Sequence, residues 1–384
     1  MRKAPSVSAA RGYAFLGTRI AVGGDLPSLA LWLDEFFIPA FAPWTGDAPD
    51  VTVAVSCDHA AYQATARSRP AGDVRAAPCF ALDQETVRHP AWTVSDRTVL
   101  ADERAGVFYV LGGARVDVVA HPSSDRMRTR VMRVVRELAT TRALASPGRF
   151  QLHAAALAHH GRALLLAGPK GAGKTTLLGS LAATGAAILT NDRALLCDDE
   201  PIGLAARAGF VVHGIPTIVS IRPGTLALLP RLARGVAAGE RLVHLTLAEA
   251  DAGHPRRGSA EPNATLALSP SQLARQLGTR LGAPAPLGAV AFPEPHADPD
   301  DLAVERLDPA DAERRLFASR YGGHAGPIET TVFARPTDAQ RPADSDRPHL
   351  VTIAVEIPCF AIQIGSRRLA DTRAAEAVLA KVLS

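Results

Sequence analysis

Residues 168–175, Gly-Pro-Lys-Gly-Ala-Gly-Lys-Thr, satisfy every fixed position of the pattern GxxxxGK[ST]. The residue types explain what that spacing can do. Gly168, Gly171 and Gly173 let backbone N–H groups turn inward around phosphate oxygens, where a Cβ would crowd them. Pro169, Lys170 and Ala172 fill the variable positions of the loop. Lys174 can reach β- and γ-phosphates, the Thr175 hydroxyl can ligate Mg²⁺, and Thr176 completes the stretch. A helix that starts here adds about half a positive charge behind those donors. The chain has four lysines (Lys3, Lys170, Lys174 and Lys381), and two of them fall in this loop. Arginine is otherwise the default cation, so a point-charge ammonium at position 174 implies a specific demand. A glycine-rich turn with an incidental lysine is the alternative, and the flanking pattern argues against it.

The elements that must position this loop are legible on both sides. Ala163–Ala167 is a short apolar run suited to a buried strand, joined through His159-His160-Gly161 to a partner strand over Gln151–Ala158. Over Lys174–Thr184, Leu177, Leu178 and Leu181 share one helical face, and Gly185 stands where a C-cap glycine belongs. Next comes the strand Ala186–Thr190, leading into Asn191-Asp192. Its C-terminal end is expected beside the loop, where ligands of parallel α/β sheets collect. Asp192 there can contact Mg²⁺ or accept a proton; alternatively it caps a turn into Arg193. The base-reading NKxD of GTPases and the LSGGQ of transporter ATPases are absent. No long apolar strand ends in a plain Asp-Glu pair, and Leu287–Phe292 followed by Pro293-Glu294 comes nearest.

A chain of 384 residues is long enough for two domains with separate cores. With 47% hydrophobic and 21% charged residues, it reads as globular. The net charge of +4 comes from scattered arginines with no aromatic interleaving, so nucleic acid is not an expected partner. Cys57, Cys79, Cys197 and Cys359 lack CxxC or zinc spacing and read as reduced thiols. No apolar run approaches the roughly 18 residues of a spanning helix, and no apolar signal region follows the N-terminal basic residues. A soluble cytoplasmic protein that does not engage membranes is therefore expected.

Residues 1–120 read as mostly β, with strand candidates at Tyr13–Ile20, Asp50–Ser56, Pro78–Leu82, Trp92–Leu100, Gly106–Leu111 and Arg115–Ala120 and one helix at Pro27–Phe37. His59, His89 and His121 read as solvated histidines among turn residues. An amphipathic helix over Asp125–Ala145 carries an apolar stripe with arginines on its other, solvated faces. Ser146-Pro-Gly148 ends it. The expected division is a β-rich accessory domain over 1–147, with a linking helix at about 125–145, and a nucleotide-binding domain over 148–384. Asp199–Phe210 and 322–347 read as loops and 229–262 as an insertion. Pro270–Leu281 and Pro309–Tyr321 read as helices, Val351–Ile357 and Cys359–Ile364 as strands, and Ala370–Leu383 as a final helix. The fold class is α/β, α+β overall.

The stretch around the loop resembles the HPr kinase/phosphorylase-like kinases, relatives of phosphoenolpyruvate carboxykinase. The resemblance rests on His153 at the start of a strand, the His159-His160-Gly161 hairpin, the loop Gly168–Thr175, Gly185 after the helix, and Asn191-Asp192 at the end of the next strand. It extends more loosely through Val211–Pro223 and Leu287–Tyr321. It implies a P-loop kinase fold, ATP and Mg²⁺ as cofactors, and a homo-oligomer. It also implies catalytic roles for Asp192 as general base on an acceptor hydroxyl, His153 as its orienting partner, Lys174 on the phosphates and Asn191 beside the metal, with Thr175 and Asp192 as metal ligands. A core position for His153 stays open. Asn191 departs from the family's Asp-Asp and removes a carboxylate, and residues 200–224 lack the signature associated with phosphorylase activity. The expected activity is phosphorylation of a Ser or Thr hydroxyl on a peptide or protein, such as a ribosomal-peptide precursor. A small-molecule kinase for free serine and a regulatory module without catalysis are the alternatives.

With Lys174 read as a solvent-facing charge, Lys174→Ala is expected to abolish nucleotide-dependent turnover while leaving the thermal melt unchanged. Normal ATP affinity and turnover in that variant would remove the loop assignment.

Overall fold

The computed structural model describes residues 11–24, 27–46, 48–82, 85–198, 209–237, 266–321, 331–333 and 345–383. They form two compact units, one drawn from Met1–Ala145 and Glu329–Gln340, the other from Ser146–Ile328 and Arg341–Ser384. Helices and strands are both abundant and the sheets mix parallel and antiparallel pairs, so the fold is α/β.

In the first unit the elements are β1 (Arg11–Phe15), β2 (Thr18–Gly24), α1 (Pro27–Phe37), β3 (Ala42–Trp44), β4 (Val51–Ser56), α2 (His59–Arg67), β5 (Arg75–Leu82), β6 (Glu85–Val94), β7 (Arg97–Asp102), β8 (Val107–Gly112), β9 (Arg115–Ala120) and α3 (Met127–Leu144). The strands make one sheet in the order β3-β1-β2-β4-β9-β8-β7-β6-β5. Two stretches expected as single strands are hairpins. Leu16 (φ 47°) and Gly17 (φ 85°) turn β1 into β2, and Ser95 (φ 56°) opens the turn between β6 and β7. Two-residue hairpin turns need positive φ, a demand that Leu and Ser do not announce in sequence. The helix α2, unforeseen, lays Ala61, Tyr62 and Ala66 on the apolar cluster of Trp92, Val99, Phe108 and Val119. Its start is capped by the Asp58 side chain, which accepts from Ala61 N.

The arginines of α3 depart from the solvated face expected of them. Arg130 and Arg136 are buried. Arg130 Nε donates to buried Asp102 Oδ2 at 2.6 Å, and Arg136 donates to Glu137 Oε1 at 3.1 and 3.2 Å. A buried guanidinium is tolerable only with such a partner. His89 is likewise drawn inward, with Nε2 3.8 Å from Asp102 Oδ2, and burial lowers its basicity. Late in the chain, residues 331–333 add to this unit: Val332 N donates to Pro78 O, and Phe333 packs on Phe80 at 5.6 Å between ring centroids.

The second unit comprises β10 (Arg149–His159), β11 (Arg162–Ala167), α4 (Lys174–Ala182), β12 (Ala187–Thr190), β13 (Arg193–Cys197), β14 (Val211–Ile215), β15 (Val219–Ile221), α5 (Pro223–Leu228), α6 (Pro230–Ala237), β16 (Leu266–Leu268), α7 (Pro270–Leu277), β17 (Ala285–Pro295), β18 (Leu302–Arg306), α8 (Pro309–Ala318), α9 (Arg347–Glu356), β19 (Cys359–Ile364), α10 (Ser366–Leu369) and α11 (Thr372–Val382). Its main sheet runs β11-β10-β13-β14-β17-β19-β18, with β12 also on β10 and β11 also on β17. The strands β11, β10, β13, β14 and β17 therefore close on themselves. Inside the closure lie Phe150, Leu152, Ala154, Leu165, Leu196 and Val290, packed with Leu316 of α8 and Ile353 of α9. The other face of β11 and β17 packs against Leu177, Leu178 and Leu181 of α4 and Val378 and Leu379 of α11.

Residues 347–356 are a helix, where the apolar run Val351–Ile357 suggested a strand. Leu350, Ile353 and Ala354 recur at helical spacing and are its buried residues, while Val351 and Val355 are exposed. The helix α7 ends at Gly278 (φ 70°), short of Leu281, and opens on a Ser269–Gln272 capping box. Most of Asp199–Phe210, 229–262 and 322–347 lies outside the described residues. Among the described residues, no helix is long and apolar enough to cross a membrane.

One close approach supports the geometry of the site. A Cβ on Gly214 of β14 would lie 1.9 Å from the carbonyl oxygen of Leu189 in β12. A backbone atom cannot step aside as a side chain can. Gly214→Ala is therefore expected to cost about 1–3 kcal/mol or more of unfolding free energy, read as a lowered urea midpoint, with the overpacking falling on the strand that leads to Asp192. An unchanged midpoint would mean that β12 does not pass over β14 so closely.

Candidate functional site

The hairpin of β10 and β11 turns on His160 (φ 48°) and Gly161 (φ 77°), both in the left-handed region that such a turn requires. Its register pairs Ala167 with Ala154, so the loop leaves the sheet beside His153. On its other side β11 pairs in parallel with β17. Gly168 (φ 142°), Gly171 (φ 92°) and Gly173 (φ 89°) all take conformations that a Cβ would strain. Gly173 precedes α4 without a side-chain cap, the arrangement by which helix N-termini receive anions. Pro169, Lys170 and Gly171 are exposed, Ala172 and Thr175 half-buried, and Thr176 buried with its hydroxyl 3.1 Å from that of Thr225 in α5. Thr176 thus serves packing between helices.

Lys174 is not the solvent-facing charge expected from the motif. It is 7% exposed, and Nζ donates to Gly168 O at 2.7 Å and Pro169 O at 3.0 Å. The loop curls back over its own lysine, because carbonyls at a tight turn are the acceptors nearest to a buried ammonium. Lys174→Ala must therefore loosen the loop, and its thermal melt is expected to fall.

The strands β12 and β13 lie along the same side of β10, interrupted at Asn191-Asp192. Thr190 pairs with Ala156 and Arg193 with His153. The interruption therefore faces the segment of β10 that borders the loop. His153 Nδ1 sits 3.3 Å from Asp192 Oδ1, at ion-pair distance, with the histidine side chain 15% and the aspartate 38% exposed. His153 N donates to Ser319 O at 2.7 Å, which pins the backbone behind the imidazole. The Thr190 hydroxyl lies 3.5 Å from Asp192 N and 3.4 Å from Arg193 N, closing the turn. Asn191 is buried, and its Oδ1 accepts from the Thr217 hydroxyl at 3.1 Å. The amide of Asn191 holds the turn from inside.

Two groups at this end of the sheet were not singled out by residue pattern. Arg193, 3% exposed, stacks on the Tyr321 ring at 4.1 Å and reaches Gln151. At the end of β17, Glu294 accepts from Arg315 of α8 and from Gln363 Nε2 at 3.4 Å. That guanidinium holds the Glu294 carboxyl below its ordinary value. Only the Pro293-Glu294 dipeptide hinted at it, and nothing in sequence linked Glu294 to Arg315. β17 continues through both prolines because Pro293 and Pro295 close its C-terminal end, beside β19.

Among the described residues, no three His, Cys, Asp or Glu side chains are grouped as a metal would need. That donor set does not make a dedicated cage. No protein-family model matches this chain, and no curated protein matches it.

The Thr217–Asn191 bond yields a direct expectation. Thr217→Val leaves the buried Asn191 Oδ1 without its donor and should cost about 1–3 kcal/mol by chemical denaturation. Wild-type stability in Thr217→Val would show that the bond does not hold the turn.

Proposed function

We propose that the second unit is an ATP- and Mg²⁺-dependent kinase that phosphorylates a hydroxyl of a peptide or protein, akin to the HPr kinase/phosphorylase-like enzymes. The observation that carries this reading is the Asp192–His153 pair, 3.3 Å apart, on the segment of β10 that borders a glycine loop curled over its own lysine. Asp192 takes the proton of the acceptor hydroxyl as its oxygen bonds to the γ-phosphorus and the bond to the β,γ-bridging oxygen breaks, leaving ADP. His153 keeps the carboxylate oriented. The Gly168–Thr175 amides and Lys174 hold the phosphates, so catalysis is mainly positioning and charge neutralisation. Mg²⁺ bound with the nucleotide would offset phosphate charge, with the Thr175 hydroxyl and the Asp192 carboxylate as its protein oxygens. Free thiols at Cys57, Cys79, Cys197 and Cys359 accord with a cytoplasmic setting.

A regulatory module that binds nucleotide without turnover is the second reading. It is favoured by Asn191, whose buried amide stands where the family has a carboxylate. Measured ATP consumption with and without Ser/Thr peptides or free serine separates the two, and separates peptide from small-molecule acceptors.

If Asp192 is the base, Asp192→Asn should lower turnover roughly 10²–10⁴-fold with ATP binding retained. His153→Ala should cost less, because the carboxylate keeps its charge. The double variant should lose about as much as Asp192→Asn alone, since residues acting as one unit are not additive. Undiminished phosphoryl transfer in Asp192→Asn would sink the mechanism, and fully multiplicative losses would assign the two residues separate roles.

A further inference from the structure

One face of the first unit's sheet carries a cleft of about 640 Å³. Its floor is a row of paired residues across five strands. Gly23 of β2 pairs with Ala54 of β4, Ala54 with Asp117 of β9, Asp117 with Val110 of β8, and Val110 with Val99 of β7. Residues paired in this way share one face of a sheet. The helix α2 forms one wall with Ala64, Thr65 and Ser68, and the β6–β7 turn forms another with Val94, Ser95 and Asp96. The hollow exists because Gly23, Ala54 and Ala64 fill so little of it. Ala61, Tyr62 and Ala66 meanwhile seat α2 on the apolar cluster that includes Trp92 and Phe108.

Two arginines of the lining meet on the Asp117 carboxylate. Arg115 Nε donates to Asp117 Oδ1 at 2.6 Å. Arg97 Nη2 donates to Val110 O at 3.2 Å and also to Asp117 Oδ2. Gly112, paired with Arg115, is where Arg97 crosses, since a Cβ there would lie 3.0 Å from Arg97 Nε and 3.2 Å from its Cγ. Two guanidiniums on one carboxylate leave a surplus of one positive charge on the floor. Asp96, the other charge of the lining, is exposed on the turn, where water screens it. A guanidinium has five N–H donors, and among the described residues Arg115 spends only Nε. Its Nη1 and Nη2 keep the planar fork that matches a carboxylate. Arg97 and Arg115 remain 36% and 45% exposed, within reach of a ligand from solvent. Val94, Val99, Val110 and Val119 make the apolar part of the lining. Valines beside a guanidinium fork suit a ligand with an apolar body and one anionic end.

We propose that this cleft binds a small carboxylic acid with an aliphatic body, its carboxylate on the Arg115 fork and its body against the valines. The cleft's volume lies within the roughly 300–1,000 Å³ of small-molecule sites. One surplus charge on the floor matches a single carboxylate. A phosphate dianion would exceed it and meet Asp117 and Asp96 with charge to spare. Every residue involved belongs to the first unit, so the proposal stands apart from the kinase reading.

The test is isothermal titration calorimetry of the full chain with four probes: N-acetyl-leucine, N-acetyl-leucinamide, inorganic phosphate and an acetylated hexapeptide ending in leucine. The parent should bind N-acetyl-leucine, and the amide should bind about tenfold or more weakly for want of the charge. Arg115→Ala should lose about tenfold in affinity for the acid with its thermal melt unchanged, because half-exposed ion pairs contribute little to stability. Ala54→Leu, which fills the floor of the cleft, should abolish binding. Should that variant melt lower, Arg115→Ala decides alone. A parent that binds none of the probes, or binds acid and amide alike, would overturn the proposal. Phosphate bound as tightly as the acid would also overturn it, in favour of an unselective anion site. A hexapeptide bound more than about tenfold tighter than N-acetyl-leucine would overturn the small-ligand assignment in favour of a peptide end. None of these outcomes bears on the kinase reading.

Discussion

One strand, β10, sets the geometry on which the second unit depends. Over its second half it pairs with β11, over its first half with β13, and β12 shares the same flank as β13. Antiparallel pairing with β11 delivers the glycine loop beside His153. Pairing with β12 and β13 places their interruption, Asn191-Asp192, opposite the same segment. Because side chains alternate along a strand, a one-residue slip on either flank would turn His153 or its neighbours to the other face. The buried alanines and leucines on both faces of β10 make such a slip costly.

Charge is handled at this centre by enclosure. Lys174 is buried against loop carbonyls, Arg193 is stacked under Tyr321, and Asn191 presents a neutral amide to Thr217. A carboxylate at position 191 would meet the same hydroxyl, but burying its charge would be far more costly than burying an amide. The departure at Asn191 thus has a local physical reason in the interior of the turn, whatever its effect on metal. In the first unit the same rule operates, with Arg130 buried on Asp102 under α3.

Pattern and local chemistry were enough for much of the scaffold. The strand–loop–helix around Gly168–Thr175, the His160-Gly161 turn, the helices α1, α3 and α11, and the helix starts at Pro270 and Pro309 all have short-range signatures. Glycines at positive φ and Pro or Ser at helix starts act within a few residues, so they are readable without a fold. The hairpin turns at Leu16 and Ser95 were not, because Leu and Ser are not residues that favour the positive φ these turns take there. Nor was the helix over Arg347–Glu356, whose apolar run fits either period until its neighbours choose one.

The amino-acid sequence by itself determined that a glycine-rich loop joins a buried strand to a helix, between which elements it sits, and that His153, Asn191 and Asp192 were the residues to watch. Only the tertiary structure decided that His153 meets Asp192, that Lys174 is buried, that Thr217 holds Asn191, and that Glu294 pairs with Arg315. Each of these depends on strand register or on a helix packing against a sheet far along the chain. Spacing in sequence carries no record of which strand ends will lie side by side, since that is settled by burial of both faces of the sheet at once.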